Sequence, residues 1–332
     1  MRKILISGAS GFIGFHTCRS FAERGYDVIA IDNFNDYYNP ELKFERAKSL
    51  LSSHGIKIEN SDISNFEDLQ ILFLKHEFSS VLHLAAQAGI RIKTEENYKY
   101  AQSNLLGFSN IASLAVVHKV KDFIYASSSS VYGNNVKAPY PEDSKSIKPL
   151  SFYGATKLSN EIMASTLSET GETNFTGLRF FTAYGQWGRP DMAYFRIAES
   201  ILNGNVFRLF GDGMVRRDFT YIEDIIEGIA RLHEYRQINR EISSDIFNIG
   251  GGSPHSMLEL IEVFEKITGK FLRIEKLPSI KADVNLTIAD TTKLISAINF
   301  IPQVELHQGV SLFLEWCTSD GIQKRLEGWV NA

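Results

Sequence analysis

The chain has only two cysteines, Cys18 and Cys317, and they stand almost its whole length apart with no CxxC spacing. That excludes a disulfide framework and a cysteine-built zinc site, and it fits a reducing, cytoplasmic setting. No apolar run approaches the roughly 18 residues of a membrane helix, so no membrane partner is expected. The first apolar stretch, Ile4 to Ile6, meets Ser7 and Gly8 at once and is too short for a secretory leader. Proline is sparse, at 8 residues beside 24 glycines, which excludes collagen-like and low-complexity chains. Charge of one sign is missing too. Lys and Arg number 35 against 39 Asp and Glu, a net charge of −4, so no basic field grips nucleic acid.

What is present is an ordinary globular composition, 44% hydrophobic and 22% charged over 332 residues, or about two domains' worth of chain. Ile4 to Ile6 reads as a strand buried on both faces, then Phe15, Cys18, Phe21 and Ala22 mark a helix, and Val28 to Ile31 a second strand. The alternation continues with strands at 56–59, 81–84, 123–126 and 176–181 and helices at 66–75, 104–119 and 151–170. Repeated βα units with short connections predict an α/β fold with a doubly wound, parallel Rossmann sheet. Beyond Phe181 the rhythm loosens into short strands near 207–210 and 246–249 and helices near 193–203, 256–268 and 307–317. Residues 1–180 are expected to form a dinucleotide-binding domain and 181–332 mainly a smaller substrate domain. Segments around 215–250, including a helix at 222–236, are expected to return to the sheet.

Gly8-Ala-Ser-Gly11-Phe12-Ile13-Gly14 stands between the first strand and the first helix, where small residues let backbone amides approach a pyrophosphate. Asp32 ends the next strand, placed to accept hydrogen bonds from a ribose diol. Asn33, Phe34 and Asn35 bring no cation for a 2′-phosphate, so the cofactor is expected to be NAD rather than NADP. Tyr153 and Lys157 form a YxxxK pair on one helix face, a phenol with a cation near it, which is a general base for a hydroxyl. Ser127 to Ser130 lie at the carboxyl end of a strand, where sheet enzymes bind ligands.

Spaced GxxGxxG, and followed by these motifs, the chain resembles the extended short-chain dehydrogenase/reductase family over essentially its full length. The resemblance implies an adenine contact at Asp62 and Ile63, a nicotinamide-ribose wall at Leu84, Ala85 and Ala86, and a further cofactor contact at Asn104, which opens a helix motif. It also makes Ser128 the third member of a Ser-Tyr-Lys catalytic set, with Ser129 and Ser130 bonding the sugar's reacting oxygen. Family dehydratases carry an acidic pair where this chain has Ser129 and Ser130. The missing acid leaves nothing to drive elimination, which favours oxidation and re-reduction at C4.

Gln87 to Arg91, Asp36-Tyr37-Tyr38 and Trp187-Gly-Arg189-Pro-Asp-Met-Ala193 resemble the UDP-glucuronate 4-epimerase branch of that family, a group of isomerases. The resemblance implies Thr182 facing the sugar's C6 end, Arg189 gripping a C6 carboxylate, Arg91 and Phe210 on the substrate, Arg217 on the diphosphate and Asp290 on the uridine ribose. A loop-bracing salt bridge is the plain alternative for Arg189. It implies a UDP-sugar substrate, no metal, a role in polysaccharide biosynthesis, and a homodimer formed by the helices at 104–119 and 151–170. A 4-epimerase of a neutral UDP-hexose or UDP-N-acetylhexosamine, and a non-catalytic NAD-binding scaffold or sensor, are the competing readings.

Overall fold

The computed structural model describes residues 2–89, 93–241, 243–279, 284–319 and 322–330. Its first half runs β1 (Lys3–Ser7), α1 (Phe12–Glu23), β2 (Asp27–Asp32), α2 (Glu41–His54), β3 (Ile58–Asn60), α3 (Phe66–Lys75) and β4 (Ser80–His83). A long helix follows, in which α4 (Asn97–Tyr100) passes through a π turn at Ala101–Gly107 into α5 (Phe108–Val117); then come β5 (Asp122–Ser128), α6 (Phe152–Ser168) and β6 (Asn174–Phe180). The second half runs β7 (Thr182–Tyr184), α7 (Ala193–Asn203), β8 (Val206–Phe210), β9 (Arg216–Tyr221), α8 (Ile222–Ile238) and β10 (Ser244–Ile249). β11 (Pro254–Ser256), α9 (Met257–Thr268), β12 (Arg273–Leu277), α10 (Thr292–Ile298), α11 (Leu306–Thr318) and α12 (Gln323–Val330) close the chain.

Seven strands form one parallel sheet in the order β10-β6-β5-β4-β1-β2-β3, the doubly wound α/β architecture. Side chains alternate across it. On β1, Ile4 and Ile6 join the core shared with Phe15, Phe21, Ile225 and Leu232 of α1 and α8. Leu5, between them, faces the other core with Leu69, Ile111 and Ala164 of α3, α5 and α6. Two covered faces explain why these strands read as continuous apolar runs. The sheet draws on both halves of the chain, since β10 pairs with β6 from Ser244↔Phe175 to Ile249↔Phe180. β7, β9 and β11 form a small second sheet, and β8 and β12 a parallel pair.

The structure extends the elements read from sequence. The helix expected from residue 104 starts at Asn97 and ends at Val117, because the π turn shifts the apolar spacing away from the 3.6-residue period. α2, with Pro40 before it and left-handed Gly55 after it, carried no plain apolar stripe: Lys43 and Arg46 lie on its buried face beside Leu42 and Leu50. Among the described residues no helix is long and apolar enough to cross a membrane.

Candidate active site

A cavity of about 540 Å³ opens along the carboxyl ends of β1, β2, β4, β5 and β6 and continues between the sheet and the segments after β6. Its first wall is the glycine turn. Gly8, at φ +73°, lies so close to β4 that a Cβ there would sit 2.6 Å from the Ala85 nitrogen. A Cβ on Gly14 would come within 2.0 Å of the Gly8 carbonyl oxygen. α1 starts at Gly11 with no side-chain cap and no acidic residue in its first turn, leaving its amides open to an anion. Asp32 is oriented by the Ser10 amide at 3.0 Å and the Phe34 amide at 2.8 Å. This donor set and the close backbone approach fit a dinucleotide: Gly8, Gly11, Phe12, Ile13, Gly14, Asp32, Asn33, Ile63 and Leu84 to Ala86 all line the cavity.

Two residues expected at the cofactor stand behind that wall. The Asp62 carboxylate accepts from the Asn33 amide at 2.9 Å and from Ser64. Burial pushes its pKa up, but the Ser64 and Asn33 hydrogen bonds outweigh it and hold the group below the usual carboxylate range. Asn104 is buried, with its side chain bonded to both backbone groups of Gln87 and to the Thr156 hydroxyl. It joins the end of β4 to α6 rather than lining the cavity. Lys43 does line it, on the Asp32 side, held by the Asn35 carbonyl and side chain at 2.6 and 2.7 Å. Burial pushes its pKa down to about 8.

The chemistry converges where β5 meets α6. Ser128 ends β5, Ser129 and Ser130 form a helical turn, and Ser151 caps α6 by accepting from the Gly154 amide at 3.0 Å. That cap puts Tyr153 in the first turn of α6 and Lys157 in the second. The Ser128 hydroxyl accepts from the Ser130 amide at 3.1 Å and lines the cavity with the Tyr153 phenol. Burial pushes the phenol's pKa up, while Ser128 and the more distant Arg189 cation pull it back by less. The Lys157 ammonium donates to the Ala126 carbonyl at 2.8 Å and lies 5.9 Å from the Tyr153 ring centre. Burial pushes Lys157 down to about 7 against the upward pull of Glu161, one turn on. Glu161 in turn accepts from Nε and Nη2 of Arg179 and from the Ser127 hydroxyl, the last at 2.5 Å.

The far wall holds Thr182, Arg189, Asp191, Phe207, Phe210 and Arg217. Arg189 donates to Asp191 through Nε at 3.0 Å and Nη2 at 2.5 Å, with its guanidinium 5.5 Å from the Tyr37 ring centre. The loop-bracing salt bridge thus exists, and it leaves Nη1 and the second Nη2 hydrogen for another acceptor. Burial pushes the Asp191 carboxyl up, but Arg189 outweighs it and holds the group low. Arg217 lines the cavity, while Arg216 is turned to Glu259 and the Pro254 carbonyl. Asp290 does not line the cavity, its carboxylate accepting from the Thr292 amide, whereas Thr287 of the same segment does reach the wall. Arg91 lies outside the described residues.

The model of the NAD dependent epimerase/dehydratase family matches residues 4–250. The UDP-glucuronate 4-epimerase 4 of Arabidopsis thaliana is 39% identical over 331 residues, covering 95% of this chain and 75% of its own. The UDP-glucuronate 4-epimerase of Thermodesulfobacterium geofontis is 37% identical over 318 residues, 95% of this chain and 96% of its own. The crystal structure of UDP-glucuronic acid 4-epimerase from Bacillus cereus, in complex with UDP-glucuronic acid and NAD, matches with TM-score 0.88 and 34% identity over 95% of this chain and 98% of that one.

Proposed function

The chain belongs to the NAD dependent epimerase/dehydratase family, and from that premise we propose that it interconverts UDP-glucuronate and UDP-galacturonate by epimerisation at C4. One observation carries the choice of reaction. Among the described residues lining the cavity only Asp32 and Asp191 are carboxylates. Asp32 is occupied by two backbone amides and Asp191 by Arg189. An elimination needs an acid or base at C5 and C6, and no spare carboxylate stands in the wall to supply one. The Ser128, Tyr153 and Lys157 set serves a single hydroxyl.

NAD⁺, when bound, supplies the acceptor and then the donor of one hydride. Gly8, Gly11 and Gly14 admit its pyrophosphate to the open amides of α1, and Asp32 accepts from its ribose. Tyr153, as the phenolate that the Lys157 charge favours against burial, takes the 4-OH proton, Ser128 holds its oxygen and the sugar oxygen in one line, and Lys157 places its charge beneath them. The same phenol returns the proton after the 4-keto sugar has turned over. That ketone is a β-keto acid prone to lose CO₂. Thr182 and the remaining Nη1–Nη2 edge of Arg189 hold the carboxylate in the ring plane, where the breaking bond is misaligned with the carbonyl.

We further assign residues 1–180, with the returning α8 and β10, to the cofactor domain and the remainder mainly to the substrate domain. A cytoplasmic homodimer fits the free, buried Cys18 and Cys317 and the exposed Tyr98, Leu106, Val117, Phe152 and Ile162 of the 97–117 helix and α6.

The test is incubation of the purified protein, without added NAD, with UDP-glucuronate, UDP-glucose and UDP-N-acetylglucosamine in separate NMR runs. UDP-galacturonate alone is expected, and Tyr153→Phe is expected to slow its formation by about a thousandfold with the fold intact. Turnover of only a neutral sugar would move the reading to a hexose epimerase in which Arg189 serves its Asp191 bridge; UDP-pentose as the main product would make it a decarboxylase.

A further inference from the structure

Arg46 lies on the buried face of α2, in line with Leu42 and Leu50 one turn to either side, and it is 0% exposed. Its Nε donates to the Trp187 carbonyl at 3.1 Å, and Nη2 to the same carbonyl at 2.6 Å and to that of Gly188 at 2.9 Å. Nη1 donates to the Ser10 carbonyl at 2.8 Å and to the Tyr38 hydroxyl at 2.6 Å. All five N–H groups of the guanidinium are spent, and none of the acceptors is a carboxylate. A buried cation without a counter-ion is costly, and oriented carbonyl dipoles are what offset it.

The choice of partners is what matters for function. Ser10 lies inside the glycine turn, and Trp187 and Gly188 immediately precede Arg189. The approach to Arg189 is conformationally constrained, with Gly185 at φ +137° and Trp187 at φ +57°. A Cβ on Gly188 would collide with the Tyr194 hydroxyl, so the segment has little room to move on that side. On the other side His16 of α1 bonds the Gln186 carbonyl at 2.9 Å, and the Trp187 ring packs on Phe15 and Trp316. Arg46 therefore grips, in one planar group, the turn that meets the cofactor and the backbone from which Arg189 projects.

We propose that Arg46 is a positioning residue that fixes the reach of Arg189 and so sets the site's preference for a C6 carboxylate, an inference that rests on the uronate reading above. Lysine keeps the charge but has no fork and meets at most three acceptors, so Arg46→Lys separates geometry from charge. Arg46→Gln removes both.

The experiment uses the full chain with its bound cofactor and two readouts. Hydrogen–deuterium exchange compares residues 185–192 with residues 250–252 in the parent and in both variants. Faster exchange is expected in 185–192 alone, in Arg46→Lys as well as Arg46→Gln, so the test survives if the Gln variant does not fold. Steady-state kinetics with UDP-glucuronate are expected to show KM raised about tenfold, kcat changed less, and more UDP-pentose per turnover, since a displaced guanidinium of this kind costs one to two decades. In an Arg189→Ala background the Arg46→Lys effect on KM should vanish. Unchanged exchange in 185–192 overturns the positioning role whatever the substrate proves to be. Faster exchange with an unchanged KM, or an undiminished effect in the Arg189→Ala background, overturns the link to the carboxylate. If the parent protein turns over only a neutral sugar, the uronate reading fails, and the exchange arm alone decides whether Arg46 holds the loop.

Discussion

The two ends of the cavity are built by different means. At the cofactor end the work is done by backbone: Gly8, Gly11 and Gly14 leave no room for a side chain, and α1 presents bare amides. At the substrate end the walls are loops, and buried charges hold them. Asp218, 0% exposed, accepts the amides of Gly251, Gly252 and Ala289 at 2.9 to 3.0 Å. Arg46 is its mirror image, a buried cation held by carbonyls. A turn next to a strand needs only small residues, because the sheet already sets its path. A loop away from the large sheet has no ladder to follow, and a central charge can satisfy several backbone groups at once where regular structure does not reach.

The cofactor end should fail abruptly. Gly14→Ala forces its new methyl against the Gly8 carbonyl, 2.0 Å away, and backbone cannot yield as a flexible side chain does. We expect the variant to purify without NAD and to lose more than about a hundredfold of activity, with the melting temperature only modestly lowered. The absorbance of released cofactor and the rate with added NAD measure both. Full NAD content and half the parental rate would show that the turn is softer than its packing implies.

The substrate end should fail through stability and affinity instead. In Asp218→Asn one carboxylate oxygen becomes an NH₂ facing amide donors, so at least one of the three tethers is lost and two donors oppose each other. A loss of about 2–4 kcal/mol in denaturant unfolding is expected, as for other broken buried charge sites. KM for the UDP-sugar should rise while NAD content stays at the parental level, because the freed segments carry Thr287 and Asp290 and not the glycine turn. A fall in NAD content of the same size as the rise in KM would erase the distinction between the two ends.

This contrast also decides what could be read from sequence. The glycine triplet, Asp32 and the Tyr153–Lys157 pair were legible because each rests on a spacing of a few residues within one βα unit. The parallel sheet was legible for the same reason, its strands being short apolar runs, but its seventh strand, β10, was read as one of the short strands of the second half. Arg46 and Asp218 were not, since their partners stand up to 142 and 71 positions away. A faint signal did exist: Leu42, Arg46 and Leu50 fall at i, i+4 and i+8, so a charge interrupts an otherwise apolar stripe. Asn104 was read as a cofactor contact because it follows a short motif, yet its donors and acceptor are spent on Gln87 and Thr156, which only a folded chain brings to it.

Lys157 stands where the two ends meet, and it gives the finest test of the comparison. Burial brings its pKa to about 7 in the folded protein, from 10.5 in an unperturbed lysine. Between those values the unfolded chain carries a proton that the folded chain has lost, so stability rises with pH across the window. Below about pH 7 both states are protonated, and the fold bears the whole cost of a buried ammonium. Lys157→Met removes that cost along with the cation proposed to assist Tyr153. The variant should therefore melt a few degrees above the parent at pH 6, roughly what 1–2 kcal/mol gives a chain of this size, and the gap should shrink steadily toward pH 9.5. Melting curves of both proteins at the two pH values, with matched NAD content, read the difference directly. A gap that does not change with pH would mean that Glu161, although gripped by Arg179, still serves Lys157 as a full counter-ion. The junction would then be held by charge in the manner of the substrate end; a closing gap instead marks Lys157 as a cation the sheet keeps at a cost to stability, in the one place where the chemistry needs it.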